Sequence, residues 1–130
     1  MKETYLPAIL ASYAKDADML AAIAGNYQSN TQNIRRKVQL GSVWWFCDHK
    51  RGMERQMNAF ADTGLISTFI GMWTDSRSFL SFPRHEYFRR IMCNLIGSWV
   101  ENGEYPADMP YLNTLIQNIC YTNAKQYFQL

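Results

Sequence analysis

The sequence predicts an α/β chain with a parallel sheet, cut as a slice from a larger architecture. Turn signals divide the 130 residues into alternating short and long segments. The short segments are rich in β-branched and aromatic residues, and the long ones carry apolar residues at helical spacing. The resulting order, β-α-β-α-β-α-α, implies parallel strands joined by crossover helices. Three parallel strands make a poor free-standing sheet, because both outer edges stay unpaired and such a sheet needs two covered faces.

The first element is a short buried strand within Pro7 to Tyr13 (PAILASY). Asp16 then stands where a carboxylate can accept from the first amides of a helix. Met19, Leu20, Ile23 and Ala24 follow at helical spacing, and Gly25-Asn26 help to stop the helix. Ser29 to Asn33 form a polar loop. Val38 to Phe46 (VQLGSVWWF) reads as the second strand, with Val38, Leu40, Ser42 and Trp44 on one face and Gln39, Gly41, Val43 and Trp45 on the other.

A second helix is expected over residues 52 to 63, with Met53, Met57, Phe60 and Ala61 on one side and Gly64 as a left-handed stop. The later part of Leu65 to Trp73 (LISTFIGMW) supplies the third strand. Beyond Pro83 a long helix runs from Arg84 to Val100, with Tyr87, Phe88, Ile91, Met92, Leu95, Ile96 and Trp99 in a broad apolar stripe. Gly103 and Pro106 break it. A last helix, near Met109 to Phe128, repeats the pattern with Leu112, Leu115, Ile116, Ile119 and Cys120. Residues 1–130 thus read as one segment, in which 84–130 form C-terminal helices.

Composition excludes several classes. The chain is 48% hydrophobic and 18% charged, which argues against disorder and against a coiled coil. A net charge of +2 gives no general support for nucleic acid or an anionic membrane as partner. Arg35-Arg36-Lys37, the densest basic run, reads as a solvated loop. Cys47, Cys93 and Cys120 lack zinc or disulfide-framework spacing, and Cys93 and Cys120 fall on expected apolar helix faces. No signal-peptide pattern or membrane-length apolar run occurs, so a reducing, cytoplasmic setting is expected.

In α/β folds of this kind, reactive groups collect beyond the C-terminal ends of the strands. Two segments qualify: Trp44 to Lys50 (WWFCDHK) and Thr74-Asp75-Ser76-Arg77-Ser78. Asp75 can bind a divalent metal or serve as a general base. Arg77 offers a planar fork that suits a carboxylate. On spacing alone a structural role is favoured, with Asp75 in an Asx-turn or cap and Arg77 paired with it or with Glu86. His49 and His85 read as surface or supporting groups rather than ligands. Strand parity aims Trp45 into a barrel mouth, where it could stack on a sugar-like substrate, while packing accounts for Trp44.

Gly71 to Arg90, containing TDSRSF and RHEYFRR, closely resembles the end of the uronate isomerases, also called glucuronate isomerases. So do Gly41 to Met57 (GSVWWFCDHKRGMERQM) and Ile119 to Phe128, and more loosely Leu20 to Tyr27. The resemblance implies the C-terminal portion of a (β/α)8 TIM barrel of the amidohydrolase superfamily: about three βα units plus a terminal helix. It implies interconversion of D-glucuronate with D-fructuronate and of D-galacturonate with D-tagaturonate, with a divalent metal, commonly zinc. Asp75 matches the family's aspartate after the eighth strand, a metal ligand or acid/base group, and Arg77 matches its substrate-binding arginine. Trp44 or Trp45 matches a site tryptophan. The family's first-strand His-x-His pair has no counterpart here, so the other metal ligands are absent from this chain. A barrel needs about 250 residues, and the missing strands are expected from an N-terminal barrel portion or from further copies in a homo-oligomer. The isolated chain is then expected to be inactive. The competing expectation is a non-catalytic module that assembles through the helices after Pro83 and Met109.

Overall fold

A computed structural model describes residues 8–10, 14–28, 37–41, 45–74 and 77–130. Two short strands, β1 (Ala8–Leu10) and β2 (Gln39–Gly41), pair in parallel, with Ala8 opposite Gln39 and Leu10 opposite Gly41. Between them in sequence lies α1 (Ala17–Asn26), so the first three elements form the expected β-α-β unit. The helices α2 (Lys50–Thr63), α3 (Pro83–Glu101), α4 (Met109–Gln117) and α5 (Asn123–Phe128) follow. A five-residue π turn, Asn118–Thr122, joins α4 to α5 within the single terminal helix that the sequence predicts.

The buried face of α1 is an alanine stripe, Ala17, Ala21 and Ala24, while Met19 and Ile23 are exposed. Small side chains let α1 approach α2 and β2 closely, and this outweighs the larger Met19 and Ile23 on the other side. Asp16 precedes α1 but does not cap it. The 3-10 turn Ala14–Asp16 runs straight into the helix, so Asp16 already has helical angles (φ −94°, ψ −4°).

α2 buries Met53, Met57 and Phe60 as expected. Gly64 is extended (φ −174°, ψ −164°) rather than left-handed. Instead, the Thr63 hydroxyl donates to the Ala59 carbonyl at 2.8 Å in the last turn. α3 starts on Pro83 and buries Phe88, Ile91, Met92 and Ile96. It ends in a Schellman motif: Glu104 N–H donates to Trp99 O (2.8 Å), Gly103 N–H donates to Val100 O (3.1 Å), and Gly103 takes φ +75°. Asp108 caps α4 by accepting from Tyr111 N–H at 3.1 Å.

The third expected strand is not formed as a ladder. Ile66–Thr68 is a 3-10 turn, and only Met72 makes an isolated β-bridge. Side chains take carbonyls that a neighbouring strand would otherwise occupy. Asn123 Nδ2 donates to Ser67 O and to Phe69 O, each at 2.8 Å, and Gln39 Nε2 donates to Thr68 O at 3.1 Å. The segment is nonetheless central to the core. Phe69 packs between Phe60 of α2 (ring centroids 4.8 Å apart) and Phe88 of α3 (6.3 Å).

Other long-range bonds close the molecule around β2. Gln28 Nε2 donates to Val38 O (2.7 Å), and Tyr127 Oη donates to Lys37 O (2.9 Å). Cys93 and Cys120 are exposed rather than core residues, because the inward positions of their helices go to Met92 and Ile119. The Cys120 sulfur is still shielded enough that burial pushes its thiol up, with Arg89 opposing and Cys93 adding to the shift. No described helix is long and apolar enough to cross a membrane.

Candidate functional site

Beyond β2 the described chain resumes as a 3-10 turn, Trp45–Cys47, instead of continuing as a strand. The strand parity that aimed Trp45 into a barrel mouth therefore does not carry through to this position. Trp44 and Asp75 lie outside the described residues. Cys47 is fully buried, and burial pushes its thiol up, with Asp16 adding to the shift and Arg55 opposing it. It is thereby a structural thiol rather than a nucleophile.

His49 has a structural task. Its Nδ1 accepts from Gly52 N–H at 3.2 Å and caps α2, in line with its expected supporting role. Gly52 is required by close approach, since a Cβ there would overlap the Cys47 carbonyl. Asp48 forms an ion pair with Arg84 in the first turn of α3. That pair ties the segment after β2 to the start of α3, the helix that follows Arg77 in sequence. Spacing alone gave no sign of it, because the partners are distant in sequence.

The near end of the Asp75–Arg77 loop is fixed by the terminal helix. Gly71 adopts φ +78°, and a Cβ there would lie 2.6 Å from Ile119 O in the π turn. Trp73 packs on Phe128, ring centroids 5.3 Å apart. Arg77 follows as an exposed side chain, and Ser78 Oγ accepts from Leu80 N–H at 3.3 Å to start the turn Phe79–Ser81. Glu86, the alternative partner considered for Arg77, holds Arg90 instead, at 2.7 Å. Phe79, Leu80 and Phe82 stand exposed beside this loop.

The Asp48–Arg84 pair thus links the first candidate segment to the helix that follows the second. Among the described residues no cluster of three or more His, Cys, Asp or Glu side chains could hold a metal ion. Two potential donors of the first candidate segment are engaged, His49 as a helix cap and Asp48 with Arg84.

A parallel β-α-β unit followed by core helices, with the sequence Asp75-Ser76-Arg77 ahead of α3, has relatives among the sugar-acid isomerases. The family described as glucuronate isomerase matches residues 2–128, and the chain belongs to that family. It is 57% identical over 129 residues to a uronate isomerase of Caldicellulosiruptor bescii, covering 98% of this chain and 27% of that protein. With a uronate isomerase of Geobacillus thermodenitrificans it shares 56% identity over 112 residues, 86% of this chain and 24% of that protein. The crystal structure of uronate isomerase from Thermotoga maritima matches 93% of this chain and 25% of its own, with 30% identity and a TM-score of 0.78. The resemblance carried by Gly41–Met57, Gly71–Arg90 and Ile119–Phe128 is therefore borne out as family membership. The chain spans about a quarter of the length of these relatives.

Proposed function

We propose that residues 1–130 form the C-terminal part of a uronate isomerase (β/α)8 barrel, with 84–130 as its closing helices, and that Asp75 and Arg77 contribute to the active site. The observation that carries this reading is the match to a uronate isomerase structure over nearly the whole chain, with the Asp75–Arg77 loop inside the matched family region. About 250 residues make a barrel of this type, so the remaining strands come from an N-terminal barrel portion or further copies of the chain.

In this scheme Arg77 pairs with the carboxylate of a hexuronate, because a guanidinium matches a carboxylate with two parallel hydrogen bonds. Its exposure suits a group awaiting substrate. Asp75 takes the proton from the hydroxyl-bearing carbon next to the aldehyde. As the hydroxyl proton of that carbon passes to the aldehyde oxygen, the enediol intermediate receives the abstracted proton from Asp75 at the former aldehyde carbon, which converts aldose to ketose with no net gain or loss of atoms. D-glucuronate would give D-fructuronate, and D-galacturonate would give D-tagaturonate. Trp44 or Trp45 would lie against the sugar. The described residues do not assemble a set that fits a divalent metal such as zinc. Asp75 could supply one ligand, the others would lie outside this chain, and no step above is routed through a metal.

The competing module relied on the apolar stripes of the C-terminal helices. Those stripes are largely used internally, through Phe88, Ile91, Met92, Leu112 and Leu115, which favours the isomerase reading.

The test is complementation. The 130-residue chain supplied with glucuronate and zinc is expected to form no ketouronate. Co-expression with the preceding three-quarters of a family enzyme should give turnover, and Asp75→Asn should abolish it while folding is preserved. Steady turnover by the chain alone would refute its being an incomplete site, and near-normal turnover with Asp75→Asn would refute the role of Asp75.

A further inference from the structure

A separate cavity of about 320 Å³ opens beside the 3-10 turn Ile66–Thr68, between the C-terminal ends of α2 and α3. It lies at the start of the segment whose far end leads to Asp75, away from the candidate active site. Trp99, Tyr105 and Tyr111 line it. The Trp99 and Tyr105 rings are 6.4 Å apart at 35°, and the Tyr105 and Tyr111 rings are 6.2 Å apart at 24°, with their hydroxyls 3.3 Å apart. Asp62 and Glu104 line the same cavity, and no lysine, arginine or histidine does among the described residues.

The electrostatics favour one sign of ligand. Two carboxylates face the cavity, and neither α2 nor α3 carries a basic residue in its last turn to offset the partial negative charge of a helix C-terminus. Tyr105 adds no charge, because burial and the Tyr111 hydrogen bond push its phenol up to about 12. A hexuronate would be repelled. A neutral sugar could donate to these carboxylates but would gain nothing from their charge. An organic cation is attracted both by the carboxylates and by the negative faces of the rings.

We propose that this cavity binds a small organic cation, a quaternary ammonium group held by Asp62, Glu104 and the wall of Trp99, Tyr105 and Tyr111. This assignment is independent of the isomerase reading and uses no activity as its readout.

The experiment titrates the full chain with choline and with 3,3-dimethylbutan-1-ol, its uncharged isostere, following the Trp99 indole N–H by NMR. Trp99→Phe identifies that resonance. Choline is expected to shift it saturably, with affinity at least about tenfold above the isostere. The exposed positions allow Asp62→Asn with Glu104→Gln in one folded variant. That variant should bind choline about tenfold more weakly and leave the isostere unchanged. Equal affinity for the two probes would reduce the cavity to an apolar cleft and overturn the proposal. So would the absence of a saturable shift with choline, or unchanged choline binding in the double variant.

Discussion

Asp48 and Arg84 form an ion pair that joins the segment after β2 to the first turn of α3. The Asp48 side chain is 13% exposed and that of Arg84 is 42% exposed, so the carboxylate is the shielded partner. Arg84→Met should cost about 1–2 kcal/mol in urea unfolding, because it leaves a largely desolvated charge unpaired. Screening on the arginine side limits the coupling itself to about 1 kcal/mol in a double-mutant cycle with Asp48→Asn. A coupling indistinguishable from zero would show that the pair does not anchor the loop.

Asn123 does for the Ser67 and Phe69 carbonyls what a strand neighbour would otherwise do. One side-chain amide satisfies two carbonyls, Ser67 O and Phe69 O, in a segment that buries Phe69 and Ile70. Asn123→Ala is expected to destabilise the chain by about 2 kcal/mol, roughly the cost of two shielded acceptors losing a donor. Asn123→Asp offers no amide donor and should not recover it. Urea midpoints of the two variants measure this, and a wild-type midpoint for either would count against the account.

Gly71 and Gly97 should respond to alanine in opposite directions. At Gly71 the backbone is left-handed and the added Cβ would meet Ile119 O at 2.6 Å, so Gly71→Ala should cost more than about 2 kcal/mol. Gly97 lies inside α3 with nothing within 4 Å of a built Cβ. Gly97→Ala should therefore stabilise by about 0.5–1 kcal/mol, as the unfolded chain loses freedom and the helix gains propensity. Thermal melts of both variants decide it, and equal signs would contradict the packing described here.

These variants also separate what the sequence revealed from what it hid. The span of α3 was legible because Pro83, the spacing of Phe88, Ile91, Met92 and Ile96, and Gly103 all point to the same boundaries. The face of α1 was legible only in part: Ala24 is buried and Leu20 packs against the core, but Ala17 and Ala21 give a weaker hydrophobic signal than the exposed Met19 and Ile23, although their small size decides the packing. The apolar run from Leu65 to Trp73 marked burial correctly but could not say which groups take its carbonyls, since Asn123 and Gln39 are far away in sequence. At the candidate site, spacing favoured structural roles for Asp75 and Arg77, and only the resemblance selected them for chemistry. The Asp48–Arg84 tie requires the fold to be known.

Tyr127 offers a pH-dependent test of how α5 closes over β2. Its hydroxyl donates to Lys37 O at 2.9 Å, and burial pushes the phenol up to about 12. The folded chain keeps this proton at pH values where the unfolded chain, with an ordinary value of about 10, has released it. The resulting stability is present in full below about pH 10 and is lost as the pH rises towards 12. Tyr127→Phe should cost about 1 kcal/mol at neutral pH through the lost hydrogen bond. Because phenylalanine has no proton to release, the variant should then decline less steeply than wild type across that window. Every other titratable group is common to both proteins, so the difference between the two unfolding curves at each pH isolates Tyr127. A difference that stays constant from neutral pH to pH 12 would mean that Tyr127 titrates alike in the folded and unfolded chains. In that case the α5–β2 closure would not shield its hydroxyl.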